Sequence, residues 1–157
     1  MSSTRAFIAL GSNLGNSREL LLEAVKRLQT HSDEPILLSN IIQTEPVDCP
    51  AGSPPFLNAV AGFKTRAAET PETLLKKLQD IEKELGRRRS GLQNEPRSID
   101  LDLIAFGDEK RSSPRLILPH PRAHLRRFVL EPLAQIAPHF IFPGQAQTVS
   151  QLIGKPD

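Results

Sequence analysis

Two aspartates separated by one residue are the side chains of this sequence best placed to do chemistry. Asp100 and Asp102 lie in the segment 98–106, whose apolar residues alternate as in a β-strand. Both carboxylates therefore share one strand face, roughly 6.6 Å apart along the chain, with the apolar residues facing the core. Carboxylates at this spacing can hold one or two cations, and Mg²⁺ prefers carboxylate, phosphate and water oxygens. Two solvated aspartates would show the same pattern, but like charges held close cost stability without a cation.

Arginines precede this strand in a polar, basic stretch. Arg87 begins the stretch, which runs to Pro96, and Arg97 follows directly. Guanidinium groups bind phosphate oxygens through paired hydrogen bonds, and a loop that carries them could close over bound phosphates. A solvated basic turn is the commoner fate of such a run. Its nearness to the two aspartates favours a site for a phosphate chain.

An aromatic ring and an amide lie together on another predicted strand. Phe56 and Asn58 occupy the face opposite Leu57 and Ala59. A ring that stacks and an amide that forms hydrogen bonds with a ligand's edge together suit a flat heterocycle. Phe56 taken alone is better explained as part of a second apolar layer, so this hypothesis depends on the pair.

A histidine flanked by prolines forms a further candidate group. His120 and His124 have the spacing of metal ligands on a helix, but Pro119 and Pro121 argue against a helix there. A zinc site is therefore not expected. A histidine that contacts phosphate, followed by Arg126, fits the pattern better.

Composition restricts the kind of protein that could carry this site. The 157 residues suit a single domain, 1–157, and 38% apolar with 24% charged residues argue against disorder. A net charge of +2 is too small to indicate nucleic acid or a membrane surface as a partner. The N-terminal residues lack the basic-then-apolar pattern of a signal peptide, so none is expected. No apolar run approaches the roughly 20 residues of a membrane span. Cys49 is the single cysteine, so a reducing, cytoplasmic setting is expected.

The elements that must position these residues alternate between strand and helix patterns. The predicted strands are 5–10, 35–44, 57–63 and 98–106, and the predicted helices are 16–30, 70–86 and 127–137. A loop with four prolines over 45–55 and the basic stretch separate some of them. The order predicts an α+β fold with a ferredoxin-like βαββαβ core, a mainly antiparallel sheet covered by helices in three layers.

Five sequence blocks, in this order, resemble one enzyme family. They are Ile8-Ala9-Leu10-Gly11-Ser12-Asn13-Leu14-Gly15, Phe56-Leu57-Asn58-Ala59, Pro96-Arg97-Ser98-Ile99-Asp100-Leu101-Asp102-Leu103, Leu118-Pro119-His120-Pro121 and Arg126-x-Phe128-x-Leu130-x-Pro132-Leu133. The family is 6-hydroxymethyl-7,8-dihydropterin pyrophosphokinase, and the resemblance spans essentially the whole chain. It implies transfer of the β,γ-pyrophosphoryl group of ATP to the hydroxymethyl group of the pterin, with AMP as the other product, in folate biosynthesis.

The resemblance also implies a role for each candidate residue. Two Mg²⁺ ions would be bridged by Asp100 and Asp102, and Arg87 and Arg97 would lie on and beside a catalytic loop. The residues implied in pterin binding are Thr44, Val47, Phe56, Asn58 and Phe128, with the pterin stacked between the two phenylalanines. The residues implied in ATP binding are Gln79, Glu82, His120 and Arg126. Pterin and ATP are the only expected partners, and a monomer is expected.

The sequence departs from the family's pattern at three positions. Many relatives carry Trp-Gly directly before the Pro-Arg of the acidic block, where Asn94 and Glu95 stand here. The closing loop therefore lacks an aromatic residue. Pro121 replaces a frequent tyrosine and removes one polar contact. Phe56 keeps an aromatic ring where tyrosine is common and lacks only the hydroxyl.

Two other functions fit parts of the pattern. A non-catalytic RNA-binding domain would share the βαββαβ order, but it would carry aromatic residues where Asp100 and Asp102 would repel phosphates without a metal. A different Mg²⁺-dependent nucleotidyl- or phosphotransferase would share the acidic pair. The residues alone leave that alternative open, although Phe56 and Asn58 favour a pterin.

Overall fold

The computed structural model describes residues 4–13, 16–44, 55–87 and 99–154. Its elements are β1 (Arg5–Ser12), α1 (Ser17–Gln29), β2 (Leu37–Leu38), β3 (Ile42–Thr44), β4 (Phe56–Lys64), α2 (Pro71–Arg87), β5 (Asp100–Phe106), β6 (Arg111–Ser112), β7 (Ile117–Leu118), α3 (Arg127–Ile136) and α4 (Val149–Ile153), with a 3₁₀ turn at Ala123–Leu125 before α3. None of the helices in these ranges is long and apolar enough to cross a membrane.

Five strands form an antiparallel sheet with β4 and β1 at its centre. The order is β2-β4-β1-β5, and β3 pairs with β4 farther along. Residues 5–12 of β1 pair with β4 on one side, and β5 pairs with β1 on the other side with a shift in register between Phe7 and Ile8. Because β2 and β3 pair with different parts of β4, together they occupy the place of one strand. The predicted ferredoxin-like order is confirmed.

The single strand predicted over 35–44 is interrupted at Ser39. Its side chain is buried, and its hydroxyl oxygen accepts a hydrogen bond from the Val60 N–H at 2.9 Å. The Ser39 N–H in turn donates to the Val60 carbonyl at 3.0 Å. A side-chain acceptor thus replaces a backbone acceptor here, and the strand divides into β2 and β3.

Helices cover both faces of the sheet and bury two separate cores. The core beneath α1 and α2 includes Ile8, Leu10, Phe63, Leu78 and Leu101. The core beneath α3 and α4 includes Phe7, Val60, Ile104, Leu133 and Phe142. The arrangement confirms the predicted three-layer α-β-α architecture. It also shows that β4 is buried on both faces, whereas its alternating pattern predicted one apolar face.

The sequence predicted only a short edge strand after the turn at 107–109, and three features of the fold differ from the predictions. The short helix α4 begins with a capping box, in which the Thr148 hydroxyl accepts from the Gln151 N–H and the Gln151 side chain accepts from the Thr148 N–H. Thr148 and Gln151 stand at the spacing that signals such a start. The strands β6 and β7 form a separate hairpin beside the main sheet. The helix α2 also ends at Arg87, one residue beyond the predicted end at Gly86.

An ion pair between Lys77 of α2 and Glu69, which precedes α2, lies beside His31, which follows α1. The Glu69 carboxylate is 2% exposed and accepts hydrogen bonds from the Thr73 hydroxyl and, at 2.7 Å, from the Lys77 ammonium group. Burial lowers the pKa of His31, and Lys77 and Arg66 act in the same direction, while Glu69 opposes them. We therefore expect His31 to be neutral in the folded chain at pH 7.

Replacing His31 with glutamine is expected to make stability less sensitive to acid. A lowered pKa in the folded state means that the unfolded chain binds more protons below its ordinary histidine pKa of about 6.5. The penalty from His31 therefore grows as pH falls below that value and is absent well above it. Urea unfolding between about pH 7 and about pH 5 should show a shallower loss of unfolding free energy in the variant. The exposed His139→Gln serves as a control, and an unchanged slope in His31→Gln would contradict the expectation.

Candidate active site

The two aspartates lie on the face of β5 that is turned away from α1 and α2. Asp100 and Asp102 are exposed, and the residue between them, Leu101, is 4% exposed and belongs to the core. In the β-sheet register, Gly11 on β1 lies opposite Asp100 on one side and opposite Asn58 on the other. Residues paired across antiparallel strands share a face. The carboxylates and the Asn58 amide are thus brought to one face of the sheet.

A cavity of about 370 Å³ lies on this face, between the sheet and the start of α3. Many of the predicted site residues line it: Thr44, Phe56, Asn58, Asp100, Asp102, His120, Arg126 and Phe128. They come from β3, β4, β5, the segment between β7 and α3, and α3 itself. The fold therefore collects residues that are far apart in the sequence around one space.

The Asn58 amide is held in place on the floor of this cavity. Asn58 is 9% exposed, and its Nδ2 donates to the Thr44 hydroxyl oxygen at 2.9 Å. A Cβ atom at Gly11 would lie 3.3 Å from Asn58 Oδ1, so the glycine leaves room for the amide. The Thr44 hydroxyl thus orients an amide that has a further N–H and an oxygen available for a ligand.

Two aromatic rings border the same cavity. Phe56 comes from β4, and Phe128, which is 39% exposed, comes from the first turn of α3. The Arg126 guanidinium carbon lies 5.5 Å from the centroid of the Phe128 ring, within the range of a cation–π interaction. The cavity therefore offers flat apolar surfaces beside a hydrogen-bonding amide, a combination that suits a heterocycle.

His120 stands beside the acidic pair with its orientation fixed by the backbone. The backbone N–H of His120 donates to the Ile104 carbonyl at 2.8 Å, and the ring Nδ1 accepts from the Arg122 backbone N–H at 3.1 Å. Because Nδ1 is an acceptor, the proton of the neutral ring lies on Nε2. Burial lowers the pKa of His120, and Arg126 and Arg122 act in the same direction, while Asp102 opposes them. The ring is thus suited to donate one hydrogen bond from Nε2.

A second cavity of about 260 Å³ adjoins the first and shares two of its residues. Asp102 and His120 line both, and the second is bounded by Leu75 of α2 and by the β6–β7 hairpin with Arg115. Arg115 is not among the site residues predicted from the sequence. Arg115 lies between the two-residue strands β6 and β7, and it belongs to no recognisable sequence motif. Only the fold therefore reveals its position beside the cavity.

The remaining predicted site residues lie outside both cavities or outside the described ranges. Gln79 is exposed on α2. Glu82, also on α2, accepts a hydrogen bond at Oε2 from the Leu101 N–H at 2.8 Å. Arg87 is the last residue of α2, and nothing is described of its side chain, while Val47 and Arg97 fall outside the described residues.

The carboxylates are a fitting but incomplete set of ligands for a hard cation. Among the described residues, no group of three or more His, Cys, Asp or Glu side chains could hold a metal ion. Asp100 and Asp102 supply oxygen ligands at the edge of a cavity. Mg²⁺ commonly binds one or two carboxylates and takes its other ligands from phosphate and water. The donor set therefore fits Mg²⁺ that arrives with a phosphorylated substrate.

Comparison with known proteins identifies a family that this chain resembles over most of its length. Residues 7–138 match the family described as 7,8-dihydro-6-hydroxymethylpterin-pyrophosphokinase (HPPK). The chain is 41% identical over 142 residues to the 2-amino-4-hydroxy-6-hydroxymethyldihydropteridine pyrophosphokinase of Pseudomonas aeruginosa, covering 88% of this chain and 84% of that protein. It is 42% identical over 132 residues to the Bacillus subtilis protein of the same name, covering 83% and 77%.

Longer proteins also contain a similar region. The folic acid synthesis protein fol1 of Pneumocystis carinii is 36% identical over 149 residues. The matched region covers 95% of this chain but only 20% of that protein. A solved HPPK-DHPS structure in complex with substrates has a TM-score of 0.72 at 13% identity, covering 97% of this chain and 43% of that one. The structural likeness supports the α+β fold, and the sequence matches support the family. The chain belongs to the 7,8-dihydro-6-hydroxymethylpterin-pyrophosphokinase family.

Proposed function

We propose that this chain carries out the family's reaction with the two adjoining cavities as its substrate sites. The observation that carries the proposal is the position of Asp102 and His120, which line both cavities. A transfer reaction needs its two substrates side by side, with charge-neutralising groups where they meet. The chain would act as a cytoplasmic monomer of one domain, with pterin and ATP as its partners and no nucleic acid or membrane.

The first cavity is the proposed site of 6-hydroxymethyl-7,8-dihydropterin. The flat ring would stack against Phe56 and Phe128, both of which border the cavity. Asn58, oriented by Thr44, would hydrogen-bond the edge of the ring. Val47 is proposed as a further contact through its backbone, on the family resemblance alone.

The second cavity is the proposed site of part of the nucleotide. Arg115 would contact the nucleotide there, and the His120 Nε2–H would donate to a phosphate oxygen where the cavities meet. On the family resemblance, the further residues proposed for ATP are Gln79, Arg87, Arg97 and Arg126. Glu82, which the resemblance also implies, instead accepts a hydrogen bond from the Leu101 N–H. Asp100 and Asp102 would hold two Mg²⁺ ions, whose charge offsets that of the phosphate oxygens.

Catalysis at such a site rests on positioning and electrostatics. The pterin hydroxymethyl oxygen would form a bond to the β-phosphorus of ATP, while the bond from that phosphorus to the oxygen bridging to the α-phosphorus breaks. AMP leaves with that oxygen, and the hydroxyl proton is released. The residues of the first cavity would hold the attacking oxygen close to and in line with the leaving oxygen, which lowers the entropic part of the barrier.

The decisive experiment is to identify the nucleotide product. The chain, given ATP, Mg²⁺ and 6-hydroxymethyl-7,8-dihydropterin, should form AMP and the pterin diphosphate in equal amounts. A pterin with a methyl group in place of the hydroxymethyl group should give no AMP, and neither should a reaction with excess EDTA. ADP as the product, or AMP formation without the pterin, would refute the proposal and favour another Mg²⁺-dependent transferase.

A further inference from the structure

A carboxylate from α2 binds the backbone directly between the two aspartates. Glu82 Oε2 accepts a hydrogen bond from the Leu101 N–H at 2.8 Å, and Leu101 separates Asp100 from Asp102. In the described sheet, β5 is an outer strand that pairs with β1 on one side. An outer strand leaves some of its N–H groups without a strand partner. Glu82 supplies the acceptor that a neighbouring strand would have provided.

This hydrogen bond lies at the start of β5, where an additional bond has the most effect on the position of the strand. β5 begins at Asp100, and its pairing with β1 begins there too, opposite Gly11. A strand end is held by fewer hydrogen bonds than its middle. The helix that carries Glu82 is itself fixed in the core, because Leu78, Ile81 and Leu85 are at most 3% exposed.

We propose that Glu82 is a positioning residue that sets the spacing and direction of the two metal-binding carboxylates. The inference rests on the proposed function of Asp100 and Asp102. It assigns Glu82 a task different from the nucleotide contact that the family resemblance implied. Groups that orient metal ligands without touching the metal commonly change metal affinity or activity by about 10- to 100-fold when they are removed.

Two substitutions separate positioning from a direct charge contact. Glu82→Gln keeps an oxygen that can accept from the Leu101 N–H but removes the negative charge. Glu82→Met keeps a similar length and provides only a weak sulfur acceptor. Positioning requires the acceptor, whereas an ionic contact with the nucleotide or a cation requires the charge. Glu84→Met is the matched control, since Glu84 lies on the same helix and pairs with Arg27 at 2.8 Å.

The test measures metal binding separately from turnover. Mn²⁺ affinity is measured by electron paramagnetic resonance with the full chain and an ATP analogue whose α,β-bridging oxygen is a methylene group. Amide hydrogen exchange at Leu101 reports the bond itself. We expect Glu82→Met to weaken Mn²⁺ binding and lower kcat by about 10- to 100-fold and to speed exchange at Leu101, with little change in the KM for ATP. Glu82→Gln should stay within about threefold of the parent chain in all of these.

Several outcomes would overturn the proposal. A Glu82→Gln variant as impaired as Glu82→Met, with a raised KM for ATP, would show that the charge itself contacts the nucleotide. Unchanged Mn²⁺ binding in both variants would leave Glu82 without a positioning role. If Glu82→Met does not fold, Glu82→Ala takes its place as the variant without an acceptor, because Glu82→Gln alone would be near normal both with a positioning role and with no role. A parent chain that forms no AMP would instead refute the proposed function, and Leu101 exchange would still test the bond.

Discussion

Replacing either aspartate of the acidic pair with asparagine is expected to lower kcat for AMP formation by at least about 10³-fold. Asparagine keeps the shape of the side chain and removes the charge that binds a hard cation. Asp100 and Asp102 stand on the open face of β5, where the cavity lies, so the change falls on the phosphates and their Mg²⁺. The electrostatic support for the transferring group is then lost while the pocket for the pterin is retained.

The fold should tolerate both substitutions, so a lower kcat would reflect the lost charge and not unfolding. Both side chains are exposed, and substitutions at exposed positions usually change stability by less than about 0.5 kcal/mol. Thermal unfolding and the KM for the pterin should therefore stay close to those of the parent chain. Asp108→Asn, on the exposed turn after β5, is the matched control. Near-normal Mg²⁺-dependent AMP formation by Asp100→Asn or Asp102→Asn would remove the basis for the metal assignment.

The acidic pair and the amide were predictable because a strand has a period of two. Alternation alone put Asp100 and Asp102 on one face and buried Leu101, and the structure confirms both. Alternation could not show that Asn58 lies near them, since that depends on pairing through β1. Gly11 lies opposite both Asp100 and Asn58, and the register of three strands is a tertiary property that no local pattern contains.

The parts that were missed have weak local signals. Each strand of the β6–β7 hairpin has only two residues, which is too short for a periodic sequence pattern. Neither the second cavity nor the position of Arg115 beside it could therefore be predicted. The role of Glu82 is ambiguous for another reason. A polar residue on an amphipathic helix can face water, a ligand or the edge of a strand, and only the packing of α2 beside β5 selects among these.

The roles of some predicted site residues remain predictions, because those residues lie outside the part of the chain that the structure describes. Val47 and Arg97 lie outside the described residues, as does Asn94, where relatives often carry tryptophan. The basic stretch after α2 was interpreted as a closing loop because arginines suit phosphates. Its lack of an aromatic residue leaves the assignment of the acidic pair unchanged.

Replacing Asn58 with alanine is expected to raise the KM for the pterin by about 10²-fold, the second large effect at this site. Asn58 is 9% exposed and is held by Thr44, so its hydrogen bonds to a ligand form without ordering a mobile side chain. Its loss leaves polar atoms of a bound pterin unpaired, at a cost of about 1–3 kcal/mol. The KM for ATP should change little, because Asn58 lines only the first of the two adjoining cavities.

Variants of Thr44 test whether pterin binding depends on the orientation of the Asn58 amide as well as on its presence. Thr44→Val removes the hydroxyl that accepts from Asn58 Nδ2 at 2.9 Å, so the amide can turn, and we expect the pterin KM to rise about tenfold. Thr44→Ser keeps the hydroxyl and should resemble the parent chain. Steady-state kinetics with each substrate varied in turn measures all three variants. A near-normal Thr44→Val together with an impaired Thr44→Ser would indicate that the Thr44 methyl group, and not its hydrogen bond, matters. A raised KM for ATP in Asn58→Ala would argue that the pterin occupies a different place.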